Sequence, residues 1–96
     1  MPLTRARANP PLRTRKGIEF TLLDQSKMVR CIITLAALEK LARKELTVDE
    51  FEPTFRKHQD RIEATASYKY DLSAVYRAPL TIRPADLVAY RPPIQA

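Results

Sequence analysis

One stretch of the sequence decides the fold: residues 29–70, VRCIITLAALEKLARKELTVDEFEPTFRKHQDRIEATASYKY, with the pattern of one strand followed by two amphipathic helices. Val29, Cys31 and Ile33 alternate with other residues, which is the spacing of one face of a strand. Thr34 can then cap the first helix through its hydroxyl. The apolar stripe of that helix is formed by Leu35, Leu38, Leu41 and Ala42.

The second helix has two possible beginnings. The first helix should end near Lys44, and the sequence TVDE at 47–50 then has the spacing of a capping box. Pro53, six residues after the cap, would break a backbone hydrogen bond inside a helix. Either a short turn at 47–51 precedes a helix with Pro53 in its first turn, which we favour, or one helix is kinked there. The inward face, up to about Lys69, is formed by Phe55, His58, Ile62 and Ala66.

A hairpin is expected immediately before the first helix. Apolar and polar residues alternate from residue 18 to residue 22, and a polar break at 24–27 separates them from the next strand. If Asp24 lies opposite Lys27, the apolar pairs across the hairpin all fall on one face, as an in-register antiparallel pair requires. Those pairs are Leu22–Val29, Phe20–Cys31 and Ile18–Ile33.

A third strand is expected near the C-terminus, where Leu80 and Ile82 alternate with polar residues. Pro79 and Pro84 bracket it, which indicates an edge position, and the sequence PADL that follows fits one helical turn. The predicted fold class is α+β: a small antiparallel sheet, made of the N-terminal hairpin and a short C-terminal strand, packed on two helices in the order β-β-α-α-β. Both helices should lie on one face of the sheet.

Composition excludes several classes of function. The only glycine is Gly17, whereas phosphate-cradling loops need several glycines so that backbone amides can converge. One cysteine allows neither an internal disulfide nor a cysteine-based zinc site, which indicates a reducing compartment. No secretory signal is evident, and the longest apolar stretch, 31–38, is far shorter than the roughly 20 residues of a membrane span. We expect a cytoplasmic protein with no membrane contact and no cofactor.

Positive charge is concentrated in residues 1–16. The chain has a net charge of +6, and this segment holds five cations and no acid, so the remainder carries only +1. Its prolines and its lack of an apolar period predict a disordered basic arm, ahead of a single domain at 17–90 and a frayed end at 91–96. The arm can bind nucleic-acid phosphates weakly, dock on a protein, or have no partner. Its candidate phosphate-binding residues are Arg5, Arg7, Arg13, Arg15 and Lys16.

Cys31 and His58 are the one pair with the chemistry of a nucleophile and its base. A buried free cysteine, however, generally behaves as a small apolar side chain, and no glycine-rich turn is present to supply oxyanion amides. One histidine and one cysteine are also fewer than the three or four ligands of a zinc site. We therefore expect no catalytic residue, no metal ligand and no enzymatic activity.

Two motifs together resemble a known family. The first is CIIT at 31–34, followed by Ala37 and Leu38; the second comprises Phe55, His58, Arg61, Ile62, Glu63 and Ala66. The combination resembles short bacterial proteins grouped as domain of unknown function 1488, whose patterns are C-x-I-[ST]-x-x-A-L and F-x-x-h-R-x-x-I-E-x-x-A. The resemblance covers roughly residues 17–88 and departs at Gln59, where arginine is usual, and in the arginine-rich arm. It implies a small α+β domain of paired strands, two helices and a further strand, and it brings no activity.

The hairpin face turned away from the helices is a candidate partner surface. Leu23, Met28 and Ile32 lie there and could form a homodimer contact or bind another protein. Alternatively, the C-terminal segment folds over them with Leu87, Val88 and Tyr90. We favour a non-enzymatic regulatory or adaptor module that acts through protein–protein contacts. The alternative is a nucleic-acid accessory protein that binds the phosphate backbone through the basic arm.

Overall fold

The structure, a computed structural model, describes residues 3–72 and 78–89 as an α+β domain with a mixed sheet. A short 3₁₀ turn, Val48–Glu50, lies between the first two helices. The strands are β1 (Thr4–Arg5), β2 (Leu12–Arg13), β3 (Gly17–Asp24), β4 (Lys27–Thr34) and β5 (Leu80–Ile82). The helices are α1 (Leu35–Ala42), α2 (Phe51–Lys57), α3 (Gln59–Leu72) and α4 (Pro84–Ala89).

The hairpin β3–β4 has the predicted antiparallel register along its whole length, from Asp24 opposite Lys27 to Gly17 opposite Thr34. Its turn consists of two residues, and Gln25 adopts a left-handed backbone with φ 57°. Gly17 stands where the two strands approach closely: a Cβ there would lie 1.8 Å from the carbonyl oxygen of Ile33. The only glycine of the chain is therefore explained by this close approach.

The prediction of an antiparallel-only sheet is wrong. The third predicted strand, β5, exists, but it pairs parallel to β4, with Cys31 opposite Leu80 and Ile33 opposite Ile82. The chain leaves the end of β4, passes through the helices and returns to the sheet in the same direction, which is the connection that parallel strands require. The strand order is β1-β3-β4-β5, and β2 also pairs with β3, so the order β-β-α-α-β is only partly matched.

The expectation of a disordered arm that lies apart from the domain is corrected for residues 3–16. Strand β1 pairs with the Leu22–Leu23 end of β3, and β2 pairs with Ile18 and Glu19. Leu3 and Ala6 are buried, and Leu3 joins the hydrophobic core. The folded domain therefore begins before Gly17, whereas the expected frayed end at 91–96 lies outside the described residues.

Helix α1 begins as predicted, because the Thr34 hydroxyl accepts a hydrogen bond from the Ala37 N–H at 3.2 Å. It ends at Ala42, slightly before the predicted end near Lys44, because Arg43 adopts a left-handed backbone with φ 60°. The second helical region follows the favoured alternative, with a turn before a helix that has Pro53 in its first turn. This region is not one helix, since His58, with φ −107° and ψ 14°, separates α2 from α3.

The core lies between the helices and one face of the sheet. Phe55 of α2 is fully buried, and its ring lies 5.4 Å from that of Phe20 on β3. Ile62 and Ala66 of α3 are fully buried as well. Leu87 of α4 joins this core, so the alternative in which it covers the opposite face is wrong.

Candidate functional site

The cations of residues 1–16 do not form one cluster. Arg5 turns toward α3, where its Nε and Nη2 donate hydrogen bonds to both carboxylate oxygens of Glu63 at 2.9 and 3.0 Å. Its Nη2 also lies 3.3 Å from Asp60 Oδ1. The hydrogen bond with Glu63 raises the pKa of Arg5 above its ordinary value. Arg5 is therefore already paired with protein carboxylates and has limited capacity for phosphate.

The remaining cations of the segment lie along the β2 edge and the loops around it. Arg13 donates from Nη1 to the backbone oxygen of Val48 at 2.9 Å, so its position is linked to the 3₁₀ turn. Arg13 and Arg15 border the same cavity, whereas Arg7 borders a different one beside Arg5. Arg7, Arg15 and Lys16 are exposed.

Gln59 lies beside the same carboxylate as Arg5. Its Nε2 donates to Glu63 Oε2 at 3.2 Å, and Arg5 donates to that oxygen from the other side. The position at which the resembled motif usually has arginine thus carries a neutral donor in this chain. A guanidinium from residues 1–16 supplies the positive charge.

The three residues of the predicted partner surface differ in exposure. Met28 is 50% exposed and Leu23 is half-buried, but Ile32 is only 6% exposed. Ile32 lies between the neighbouring strands, opposite Glu19 on β3 and Thr81 on β5. Ile32 is buried and is therefore not available for a partner.

A groove of about 470 Å³ runs over this sheet face, and we call it the sheet-face groove. Two of its large apolar side chains are well exposed, Leu12 at 62% and Met28 at 50%. Sequence reasoning missed Leu12 because residues 1–16 were expected to be disordered. The signal available was the presence of Leu3 and Leu12 in a segment otherwise rich in arginine and proline. The groove is lined by Ala8, Asn9, Pro10, Leu12, Glu19, Phe20, Thr21, Met28, Arg30, Cys31 and Pro79.

Cys31 and His58 lie in different surroundings. Cys31 is 1% exposed, its Sγ lies 3.6 Å from the Val29 backbone oxygen, and burial raises the pKa of the thiol to about 12. His58 lies at the α2–α3 break and borders a separate cavity lined by residues of α1 and α2. Burial and the neighbouring Lys57 lower the pKa of His58. The two side chains predicted as a possible pair therefore occupy different environments.

The described residues, 3–72 and 78–89, contain no group of three or more His, Cys, Asp or Glu side chains arranged to hold a metal ion. Among the helices described, none combines the length and apolar character needed to cross a bilayer.

Comparison with known proteins identifies a family. Residues 12–77 match the family described as protein of unknown function (DUF1488). Neither a curated protein nor a solved structure matches the chain.

Proposed function

Since the chain belongs to the DUF1488 family of proteins of unknown function, we propose that it is a non-enzymatic regulatory or adaptor module that holds a segment of a partner protein in the sheet-face groove. The observation that carries this proposal is the pair of exposed apolar side chains, Leu12 and Met28, at the edge of that groove. Exposed apolar side chains around a concave surface are typical of protein interaction sites.

The groove combines apolar anchors with a few groups that can orient a ligand. Leu12, Met28, Pro10 and Pro79 supply apolar surface, and Glu19 and Thr21 supply polar atoms on the same sheet face. An extended peptide fits such a surface because its side chains alternate between the groove and solvent. Burial of the peptide's apolar side chains, one against Leu12 and another against Met28, would supply most of the binding energy.

A partner protein is a better occupant than a second copy of the chain. Obligate homodimer interfaces bury roughly 2,000–5,000 Å² and resemble a domain core cut in half. On the described part of this face, the large and well-exposed apolar side chains are Leu12 and Met28, while Leu23 is half-buried and Ile32 is buried. This small patch suits a transient contact with a different protein.

The non-enzymatic character and the cytoplasmic location belong to the same proposal. The buried thiol of Cys31, which burial keeps protonated, supports a structural rather than a nucleophilic role. The alternative function, binding of the nucleic-acid backbone by residues 1–16, has less support, because Arg5 is paired with Glu63 and the other arginines of the segment are divided between separate cavities.

The test places a photo-crosslinking residue at Met28 in the native host and, as a matched control, at the exposed Leu72 on α3. We expect a specific partner crosslinked from position 28 and absent from position 72. The purified partner should then bind the double variant Leu12→Asp/Met28→Asp at least tenfold more weakly than wild type, since both apolar anchors are lost. Unchanged binding by the double variant would refute the site. A crosslink between two copies of the chain would show that the groove forms a homodimer contact and does not bind a different protein.

A further inference from the structure

A second concave surface lies at the opposite end of β2 from residues 6–10. This cleft, of about 470 Å³, is formed where the loop between β2 and β3 approaches the 3₁₀ turn. We call it the arginine cleft. It is lined by Arg13, Thr14, Arg15, Leu35, Val48 and Phe51.

The apolar part of the arginine cleft is accessible. Val48 is 61% exposed, Leu35 is half-buried, and Phe51, at 8% exposed, contributes to its base. An exposed branched apolar side chain beside other apolar groups gains free energy when a ligand covers it. The cleft therefore favours a ligand with an apolar group.

The polar part of the cleft is cationic and ordered. Arg13 uses Nη1 to bond the Val48 backbone oxygen, and a guanidinium has five N–H donors, so others stay available to a ligand. The Thr14 hydroxyl donates to the Gly17 backbone oxygen at 3.1 Å and accepts from the N–H groups of Lys16 and Gly17 at 3.3 Å. These bonds hold the loop that carries Arg15.

Among the described residues, none of those that line the arginine cleft is acidic. The acids nearest in sequence to Val48, Asp49 and Glu50, border a different cavity together with Lys44. Glu50 is bonded to Lys44 and Thr47, and these contacts lower the pKa of its carboxyl to about 2. The cleft thus presents positive charge that local carboxylates do not neutralise.

We propose that the arginine cleft binds an acidic segment of a partner protein in which carboxylates stand next to an apolar side chain. The apolar side chain would pack on Val48, Leu35 and Phe51, and the carboxylates would accept hydrogen bonds from Arg13 and Arg15. Charge complementarity selects this occupant, because guanidinium groups bind carboxylates through paired hydrogen bonds.

Two other classes of ligand fit the cleft less well. A small ligand needs a pocket that encloses most of its surface, and the 61% exposure of Val48 shows that this cleft is open. A single-stranded nucleic acid needs exposed aromatic faces for base stacking, and Phe51 is only 8% exposed. The proposal is independent of the sheet-face groove, since the two sites share no lining residue.

The experiment measures binding of the full chain to a fluorescein-labelled peptide of about ten residues, in which a Phe-Leu pair is flanked by Asp and Glu. Fluorescence anisotropy should show saturable binding below about 1 mM. A matched peptide with Asn and Gln in place of the acids should bind at least tenfold more weakly, and so should a peptide with Ser-Ser in place of Phe-Leu.

Variants then locate the site. Arg15→Gln should weaken binding of the acidic peptide about tenfold, as expected for loss of a charge-assisted hydrogen bond. Val48→Ser, at an exposed position, should weaken it several-fold without affecting folding. The matched control Arg7→Gln removes the same charge from the same segment but outside the cleft, and it should change affinity less than twofold.

Three outcomes would overturn the proposal. The first is the absence of acidic-peptide binding at about 1 mM. The second is an equal loss of affinity in Arg7→Gln and Arg15→Gln, which would indicate diffuse charge attraction. The third is a loss of peptide binding in Met28→Gln with none in Val48→Ser, which would move the peptide to the sheet-face groove. If Met28→Gln binds the acidic peptide with wild-type affinity, the result supports the arginine cleft, whether or not the sheet-face groove binds a partner.

Discussion

Replacement of Leu3 with alanine should lower the free energy of unfolding by about 2 kcal/mol. Leu3 is 9% exposed and belongs to the core, and its N–H donates to Ser67 Oγ on α3 at 3.1 Å. Truncation of a buried leucine to alanine costs about 2–5 kcal/mol, and a site at the boundary of the core relaxes more than one at its centre. The lower end of the range therefore applies.

The assay is equilibrium unfolding in urea followed by far-UV circular dichroism, with thermal unfolding beside it. For a domain of this size, 1 kcal/mol corresponds to about 4–8 °C, so the Tm of Leu3→Ala should fall by about 8–16 °C. The matched control is Leu12→Ala, which has the same chemistry in the same segment at a side chain that is 62% exposed. It should change stability by no more than about 0.5 kcal/mol.

Deletion of residues 1–16 extends the same test. The deletion removes Leu3, the pairing of β1 and β2 with β3, and the ion pair of Arg5 with Glu63, which contributes up to about 1 kcal/mol at its partly exposed position. We expect a loss of at least about 3 kcal/mol. A wild-type unfolding curve for both Leu3→Ala and the deletion would show that this segment does not pack on the domain.

Three further predictions concern the core, the thiol and the charge. Phe55→Ala should cost about 3–5 kcal/mol, because Phe55 is fully buried; a loss below about 1 kcal/mol in urea unfolding would contradict its central position. The raised pKa of Cys31 favours the neutral thiol in the folded state, so the stability it confers is complete below its ordinary pKa of 9.0 and is lost as pH rises toward about 12. Between these pH values, the free energy of unfolding should fall more for wild type than for Cys31→Ala. An equal fall in the two proteins would contradict the burial of Cys31. Any binding to duplex DNA should have a log K versus log salt slope near −3.6, from about −0.9 for each of four cations. The four are Arg7, Arg13, Arg15 and Lys16, because Arg5 is already paired with Glu63. A slope near −4.5 would mean that all five cations engage phosphates.

Local patterns predicted the central hairpin and the first helix. The alternation on both sides of Asp24 and Lys27 has only one register that places every apolar residue on the same face, and the structure has that register. Thr34 caps α1 through an interaction with Ala37, three residues away, so its role could be inferred from nearby sequence alone. The break between α2 and α3 at His58 could not be inferred from nearby sequence, because no proline or glycine marks it.

The candidate site was less predictable, because its surfaces combine residues that are distant in sequence. Leu12 and Met28 come to border one groove only because β2 and β4 flank β3. Arg13 and Arg15 meet Val48 across 33 or more positions of sequence, through contacts that no periodicity encodes. Arg5 was expected to serve as a phosphate ligand, but its partner Glu63 lies on a helix that follows much later in the chain.

The amino-acid sequence by itself determined the α+β class, the register of the hairpin, the start of α1 and the family, because these depend on short-range spacing of apolar and capping residues. The tertiary structure decided the parallel direction of β5, the burial of Leu3 and the division of the cations among separate surfaces. These features arise from contacts between distant segments. The free energy of these contacts depends on which segments pack together. A local sequence pattern does not specify the distant segment that will pack against it.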